Sequence, residues 1–231
     1  ALECLRDMAE RGEACRARVL LIQTPGSLRA EESVFRDADN LFERAETEEI
    51  ILAWETRGKS WMGEEARRRL AKLLDKHSIV HVTDPLKLDP VSITDTAYFR
   101  LHGFPGYNLR YTYTNHQLRE LYRRLRAYKD EVETVYVFFN NYAMYRDAQR
   151  LLILDRTGEL PPSPFGAKSV AWTLRPFEDW PATKSELLGR CGEWYCWIAP
   201  DKSVKLKGII KHFKEREYAD TIEAEKEAEK I

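Results

Sequence analysis

The sequence predicts an α/β protein with a TIM-barrel-like parallel sheet, and three observations lead to this fold class. Five short apolar segments alternate with amphipathic helices between residues 17 and 155. The apolar segments are almost continuously hydrophobic, which is typical of strands buried on both faces of a parallel sheet. No glycine-rich phosphate loop follows any of them, which argues against the nucleotide-binding versions of an open sheet.

The predicted elements follow one another in a regular order. Residues 1–15 carry apolar side chains at helical spacing, which predicts a helix. The apolar run 18–26 ends in Pro and Gly, which predicts a buried strand. The other predicted elements are, in chain order, a helix over 30–46, a strand over 48–58, a helix over 63–77, strands over 79–85 and 96–103, a helix over 115–129, a strand over 134–141 and a helix through Leu154.

The character of the chain changes after this β/α portion, which we assign to residues 1–155. Residues 156–167 are rich in Pro and Gly and predict a linker. An aromatic and lysine-rich extension follows over 168–231. Within it, three segments predict short strands and the tail predicts a charged, solvated helix. These four segments are 169–177, 193–200, 202–210 and 212–231.

Composition bounds the class of protein. The 231 residues carry a net charge of −1, so any binding to nucleic acid must come from a local patch. No apolar run reaches membrane-spanning length and no signal peptide is visible, so we expect a cytoplasmic protein without a membrane segment. Charged residues make up 32% while Asn and Gln together number eight, which indicates a thermophilic source.

The four cysteines fit no common zinc-binding spacing. They are Cys4, Cys15, Cys191 and Cys196. Buried or incidental thiols are the plainer interpretation, and a disulfide between Cys191 and Cys196 stays open.

Polar side chains stand at the end of every predicted strand, which is where parallel α/β folds build their sites. Strand alternation places Tyr98, Arg100 and His102 on one face, and it allows Arg100 to pair with Glu55. A structural ion pair is the alternative explanation for Arg100. For the strand ends taken together, a ligand site explains the pattern better, because buried polar groups without partners are costly.

The motifs "LLIQTPGSL", "LAWETRG", "VHVTDP", "YFRLHGFPGY" and "VYVFFNN" resemble, in this order, those of the YecE-like family, domain of unknown function 72. The resemblance covers about residues 1–155 and implies a TIM-type barrel. It implies site positions at Gln23, Glu55, Arg57, Asp84, Arg100, His102, Gly103, Tyr107, Asn140 and Asn141.

The first strands typical of that family have no counterpart in this sequence. We therefore expect a partner chain, an N-terminal segment or the extension to cover the open sheet edge, since natural proteins avoid exposed edges. The family also looks distantly like the barrel phosphodiesterases, but this is an analogy of fold and assigns no function.

Two hypotheses of function follow. The first is a hydrolase of the phosphodiesterase or nuclease type, with Glu55 or Asp84 as base and His102 as acid. Arg57 and Arg100 would bind phosphate, and Tyr107 and Tyr111 would stack on a base or sugar. A divalent metal is a further possibility, with candidate ligands Glu55, His81, Asp84 and His102.

The second hypothesis is a non-catalytic module that binds nucleic acid or protein. Residues 168–214 interleave aromatic side chains with lysines, which suits single-stranded nucleic acid. A packed aromatic mini-core with a rim of solvated lysines is the structural alternative.

Overall fold

The computed structural model describes residues 1–45, 50–199 and 202–231. Its helices are α1 Leu2–Ala14, α2 Glu32–Glu43, α3 Glu64–Lys76, α4 Asn115–Lys129, α5 Met144–Thr157, α6 Ala167–Leu174, α7 Lys184–Cys191, α8 Lys207–Ile210 and α9 Thr221–Ala228. Its strands are β1 Val19–Gln23, β2 Ile51–Glu55, β3 Val80–His81, β4 Thr96–Leu101, β5 Thr134–Phe139, β6 Ala182–Thr183, β7 Tyr195–Ala199, β8 Lys202–Lys205 and β9 Glu217–Tyr218. Parts of three predicted elements, at residues 46, 48–49 and 200, lie outside the described residues.

The chain divides into two units. Unit 1 comprises residues 1–101 and 123–137, and unit 2 comprises residues 102–122 and 138–231. Unit 2 therefore includes part of the predicted β/α portion as well as the extension, and the predicted linker at residues 156–167 stays a prediction.

A three-stranded parallel sheet, in the order β1-β2-β3, forms the centre of unit 1. β1 pairs with β2 from Val19↔Ile51 to Gln23↔Glu55, and β2 pairs with β3 through Ala53↔Val80. The predicted parallel β/α arrangement is therefore confirmed for these strands. This register brings the carboxyl ends of β1 and β2, where Gln23 and Glu55 stand, to the same edge.

A second sheet pairs β4 with β5, and a parallel bridge between Thr83 and Phe99 links the chain after β3 to β4. Among residues 1–45, 50–199 and 202–231 the strands do not close into a barrel. The mixed α/β class with parallel sheets is thus present, and the barrel part of the prediction is not confirmed.

An aromatic cluster packs helices α2 and α3 onto one face of the unit 1 sheet. The ring of Trp54 lies 5.5 Å from that of Phe42 and 5.4 Å from that of Trp61, in edge-to-face geometry. Trp61 donates its indole N–H to the Leu28 carbonyl at 2.8 Å. Since aromatic rings bury large areas, this cluster holds α2 and the segment before α3 against β2.

Unit 2 has its own hydrophobic core, built mainly from the extension. Buried residues of α6, α7, α8 and α9 surround Cys196 of β7. β6 pairs antiparallel with β9, and β7 pairs antiparallel with β8 as a hairpin. A capping box between Thr183 and Glu186 starts α7, and Asp220 caps α9.

Three predictions for the extension are corrected by the structure. The predicted strand 169–177 is largely helix α6, whose residues from Ser169 to Leu174 are mostly buried. The segment 202–210 is a strand only to Lys205 and then turns into α8. The tail is not a solvated helix, since α9 spans only eight residues and buries Ala224 and Glu227.

None of the helices in the described part of the chain is long and apolar enough to cross a membrane.

Candidate functional site

An arginine–glutamate group stands at the carboxyl ends of β1, β2 and β4 in unit 1. Glu55 is buried, and its Oε1 accepts a hydrogen bond from Arg57 Nε at 2.9 Å. Its Oε2 accepts a short hydrogen bond from Arg100 Nη1, which also donates to Gln23 Oε1 at 2.6 Å. The predicted pairing of Arg100 with Glu55 is therefore present, and four of the predicted site residues lie together.

This group carries two cations and one anion. The side chains of Arg57 and Arg100 are 20% and 17% exposed, whereas that of Glu55 is 6% exposed. A carboxylate held between two guanidinium groups is stabilised in its charged form and is a poor proton acceptor. Glu55 therefore lies where it can position both guanidinium groups, and its role as a general base stays a prediction.

Asp84 serves a local turn after β3. Its Oδ1 accepts a hydrogen bond from the Leu86 backbone N–H at 3.1 Å, and its Oδ2 lies 3.1 Å from Lys87 Nζ. The side chain is only 7% exposed. Both carboxylate oxygens thus stabilise the turn, an arrangement that suits a structural role better than that of a base.

His81 is buried in β3 and has partners on both ring nitrogens. Nδ1 accepts a hydrogen bond from the Val91 backbone N–H at 3.0 Å, so the ring proton lies on Nε2, which faces Thr56 Oγ1 at 3.4 Å. Burial, together with the smaller effect of the positive charge of Arg67, lowers the pKa of His81 to about 4. At neutral pH the imidazole is uncharged and locked in place.

The four predicted metal ligands do not assemble into a metal site. Across the described ranges no group of three or more His, Cys, Asp or Glu side chains is placed to hold a metal ion. Glu55 is engaged by arginines, Asp84 by a turn and His81 by backbone and hydroxyl partners.

His102 forms the centre of a polar group in unit 2. Its ring is buried, with Nδ1 3.1 Å from Asn140 Nδ2 and Nε2 3.2 Å from the Tyr107 hydroxyl. If the Asn140 amide donates, Nε2 carries the ring proton and donates to Tyr107. The ring of Tyr107 packs on the imidazole at 4.2 Å while about half of the residue remains exposed. The expected contact between His102 and Asn140 is therefore present.

The loop after β4 is held by its own backbone and by a tyrosine. Gly103 has φ of +76° and donates its N–H to the Tyr113 hydroxyl at 2.8 Å. A Cβ at this position would meet the Asn108 carbonyl oxygen and Tyr111 Cβ, each at 2.5 Å. Only glycine fits here, and the tight turn brings Tyr107 back to the His102 ring.

Tyr111 and Asn141 belong to the frame of this loop. Tyr111 exchanges hydrogen bonds with the Gln117 side chain at the start of α4, with its hydroxyl at 2.7 Å from Nε2. Asn141 Nδ2 donates to the Tyr111 carbonyl at 2.8 Å and to Asp147 Oδ2 at 3.0 Å. Both residues, predicted to bind substrate, hold the loop in position.

A buried charged network on α5 was not predicted. Asp147 and Arg150 are fully buried, and they lie on the same helical face as Leu151 and Leu154. The sequence does carry a signal for this network, since two charged residues three positions apart lie within an apolar stripe of the helix. Such a stripe normally packs into a core, so the charged residues within it are expected to be buried. Arg146, in the preceding position, is also buried.

The aromatic residues of the extension are mostly packed. Trp180 and Trp194 lie against the unit 2 core, and Trp197 is 3% exposed. Lys205 and Lys207 both pair with Glu193. Together these contacts favour a packed mini-core over an open stacking platform, and nucleic-acid binding stays a prediction.

Comparisons with known proteins agree with the resemblance of the motifs. The family model described as "Protein of unknown function DUF72" matches residues 2–158. A DUF72 family protein from Enterococcus faecalis is 16% identical, with a TM-score of 0.55 over 71% of this chain and 70% of its own. One from Thermotoga maritima is 25% identical, with a TM-score of 0.54 over 68% and 65%. No curated protein matched the chain.

Proposed function

Since the chain belongs to the DUF72 family, whose description assigns no function, we propose a function from the geometry of its own residues. The protein binds a phosphate-containing ligand of the nucleic-acid or sugar-phosphate class at the carboxyl ends of its parallel strands, and hydrolyses it. The observation that carries this proposal is the sharing of one buried carboxylate, Glu55, by Arg57 and Arg100.

Electrostatics supports an anionic ligand at this group. Arg100 uses Nη1 for both Gln23 and Glu55, so its Nε–H and Nη2 groups have no other partner among the described residues. A planar guanidinium with parallel N–H groups matches the oxygens of a phosphate. With one positive charge in excess, a phosphate oxygen at about 4 Å gains roughly 4 kcal/mol at an effective dielectric constant near 20.

A separate group in unit 2, around His102, has by itself the proton-exchange chemistry that hydrolysis requires. Imidazole is the side chain that enzymes use most often as acid or base. Asn140 orients the ring through Nδ1, and Nε2 faces the hydroxyl of Tyr107, a half-exposed residue. The protein residues that would move a proton are therefore His102 and Tyr107.

A barrel-like strand order is part of the same proposal. β1, β2 and β3 are neighbours in a parallel sheet, and the parallel bridge between Thr83 and Phe99 continues this order toward β4. Strands in this order bring Gln23, Glu55 and Arg100 to one edge, as the arginine–glutamate group requires.

Steady-state hydrolysis of p-nitrophenyl phosphate and of bis(p-nitrophenyl) phosphate tests the proposal. We expect Arg57→Gln to raise KM about tenfold, since a hydrogen bond to a charged group contributes about 1.5–3 kcal/mol. Arg69→Gln is the matched control, because Arg69 is a unit 1 arginine that pairs with Glu32 instead. His102→Asn should lower kcat with little change in KM.

Circular dichroism melts establish that each variant is folded before its kinetics are compared. Equal KM values for Arg57→Gln and the control would refute anion binding by the arginine–glutamate group. Unchanged kcat in His102→Asn would refute the role of His102 as acid or base.

Binding of nucleic acid or protein by residues 168–214 remains a separate proposal. Its support is the β7–β8 hairpin, where Tyr195 is partly exposed and Lys202 is exposed. Gel shifts with single-stranded RNA and DNA across a salt series test it, because binding through phosphates weakens steeply with salt. Absence of any shift at low salt would reject this module.

A further inference from the structure

A cavity of about 560 Å³ in unit 1 lies at the amino ends of β2, β3 and β4. It is formed by the end of α2, the first residues of β2, the turn between α3 and β3, and the segment that leads into β4. The arginine–glutamate group stands at the carboxyl ends of the strands, so the two places are separate. Within the described part of the chain, no lysine or arginine lines this cavity.

Much of the lining is apolar and buried. These side chains are Phe42, Ile50, Leu52 and Ile79. Ser92, which is buried in the same lining, donates its hydroxyl to the Ile79 carbonyl at 3.4 Å and so joins the segment before β4 to the start of β3. The cavity therefore has an apolar wall that belongs to the core of unit 1, which is typical of a site for a small organic ligand.

Two carboxylates of the lining, those of Asp75 and Asp95, make no hydrogen bond or ion pair with the described residues. Their backbones are held in place. The Asp95 carbonyl accepts the Glu133 and Thr134 N–H groups at 2.9 and 3.2 Å, and the Asp75 carbonyl accepts the Ser78 N–H at 3.3 Å. The carboxylates themselves are exposed and stay available to a ligand.

His77 adds a buried acceptor to these exposed acids. Its side chain is 10% exposed, and Nε2 lies 2.6 Å from Asp39 Oδ1. Hydrogen bonds from Lys76 and His77 lower the pKa of Asp39, so this group is a carboxylate, which can only accept. Nε2 therefore carries the ring proton, and Nδ1 of the neutral ring is an acceptor that none of the described residues uses.

Thr96 contributes a second buried polar group. It is the first residue of β4, lines the cavity and is 5% exposed. Its backbone N–H donates to Thr94 Oγ1 at 3.2 Å, but its own hydroxyl makes no hydrogen bond with the described residues. Because leaving a buried hydroxyl without a partner costs about 1–3 kcal/mol, a ligand that bonds to Thr96 is favoured.

We propose that this cavity binds a small organic cation, an alkyl amine whose ammonium groups meet these acceptors and whose carbon chain lies on the apolar wall. An ammonium has three N–H donors and no acceptor, which matches carboxylates, an imidazole lone pair and a hydroxyl. Across the described ranges no three acidic, Cys or His side chains are close enough to hold a metal ion, so these acceptors suit a larger cation. The inference does not depend on the proposed function.

Thermal unfolding of the full chain at neutral pH tests the proposal, with putrescine, a linear alkyl diamine, as the probe. Both of its amines are protonated at this pH, as that of lysine is, so one molecule can meet both Asp75 and Asp95. A ligand that binds only the folded state raises Tm with its concentration, and this dependence gives Kd. We expect a rise that exceeds those produced by sodium chloride and magnesium chloride at equal ionic strength.

Two substitutions of buried residues assign the binding to this cavity. Thr96→Val keeps the shape of the side chain and removes the hydroxyl. His77→Gln can still donate an amide N–H to Asp39 but places no acceptor where Nδ1 stands. Each should weaken putrescine binding about tenfold, since a hydrogen bond to a charged group is lost. Circular dichroism melts without ligand show whether each variant is folded.

A matched pair of acidic residues tests the role of charge. Asp95→Asn should weaken binding about two- to fivefold, as expected for an exposed ionic contact. Asp89→Asn should leave it unchanged, because Asp89 is an exposed unit 1 residue that pairs with Arg124 and does not line the cavity. Equal effects of the two substitutions would indicate general screening of charge and overturn the assignment.

The remaining outcomes also decide the matter. A rise in Tm with putrescine that is lost or weakened in Thr96→Val and His77→Gln supports the inference, whatever the outcome for hydrolysis. An equal rise with magnesium chloride would show that any divalent cation suffices, and it overturns the inference. So does the absence of a rise in the native sequence, or a rise that both buried-residue variants keep in full.

Discussion

Acidification from pH 7 to pH 4 should remove about 3 kcal/mol of folding free energy through His81 alone. Burial holds the pKa of this imidazole at about 4, against an ordinary value of 6.5. Each pKa unit corresponds to about 1.4 kcal/mol, so a difference of about 2.5 gives roughly 3 kcal/mol. The side chain is 2% exposed, so solvent screening reduces this value little.

The sign follows from which state holds the proton. Because the folded-state pKa lies below the unfolded one, the folded protein favours the neutral ring. The contribution is fully present above pH 6.5 and is lost as the pH falls toward 4, where the unfolded chain binds a proton that the folded chain excludes. Protonation would also place a donor on Nδ1, opposite the Val91 N–H that now donates to it.

Urea unfolding at several pH values between 7 and 4 measures the effect, with His81→Asn as the control. Asparagine can still accept from the Val91 N–H through its amide oxygen but does not titrate. All carboxylates titrate in both proteins, so the difference between the two curves isolates His81. We expect this difference to shrink by about 3 kcal/mol between pH 7 and pH 4.

NMR of the imidazole protons across the same pH range measures the pKa of His81 in the folded protein directly. A His81 resonance that titrates near 6.5, or a stability difference that is independent of pH, would refute the argument.

Two further predictions concern cysteine reactivity and the loop after β4. Cys191 and Cys196 are free and buried, and burial raises their pKa to about 11 and about 12. A thiol reagent at neutral pH should therefore modify only the two exposed cysteines in the native protein and all four in urea. Rapid labelling of all four cysteines in the native state would contradict this prediction. Gly103→Ala should destabilise the protein by about 3 kcal/mol or more, because a crowded Cβ adds to the strain of a positive φ. Gly106→Ala, where φ is +65° but no atom lies within 4 Å of the added Cβ, should lower the free energy of unfolding by about 1–2 kcal/mol. Equal losses of stability for the two variants in urea unfolding would show that the protein relieves the crowding at Gly103.

The sequence by itself determined the order of elements in the β/α portion. Helix α4 begins and ends at the predicted residues, 115 and 129, because an amphipathic pattern records which face of a helix is buried. The parallel pairing of β1 with β2 also followed from the sequence, since continuous apolar strands joined by helices have few other arrangements. The alternation of β4 correctly placed Arg100 on the side where it meets Glu55.

Tertiary contacts determined the secondary structure of the short apolar segments in the extension. The run around Val170 and Leu174 could be a buried strand or a buried helix, since burial on all sides erases the period that separates them. In the structure it is helical, and Ser169 accepts a hydrogen bond from the Trp197 N–H at 2.8 Å, which ties α6 to β7. That contact joins residues far apart in sequence, so local pattern carried no signal of it.

The chemistry of the candidate sites was likewise decided by partners. Glu55, predicted as a base, is held by two arginines, and His81, predicted as a metal ligand, is fixed by Val91 and Thr56. Residue types show which chemistry is available at a strand end. Charge state and accessibility depend on the groups within a few ångströms, and those groups come together only when distant segments pack.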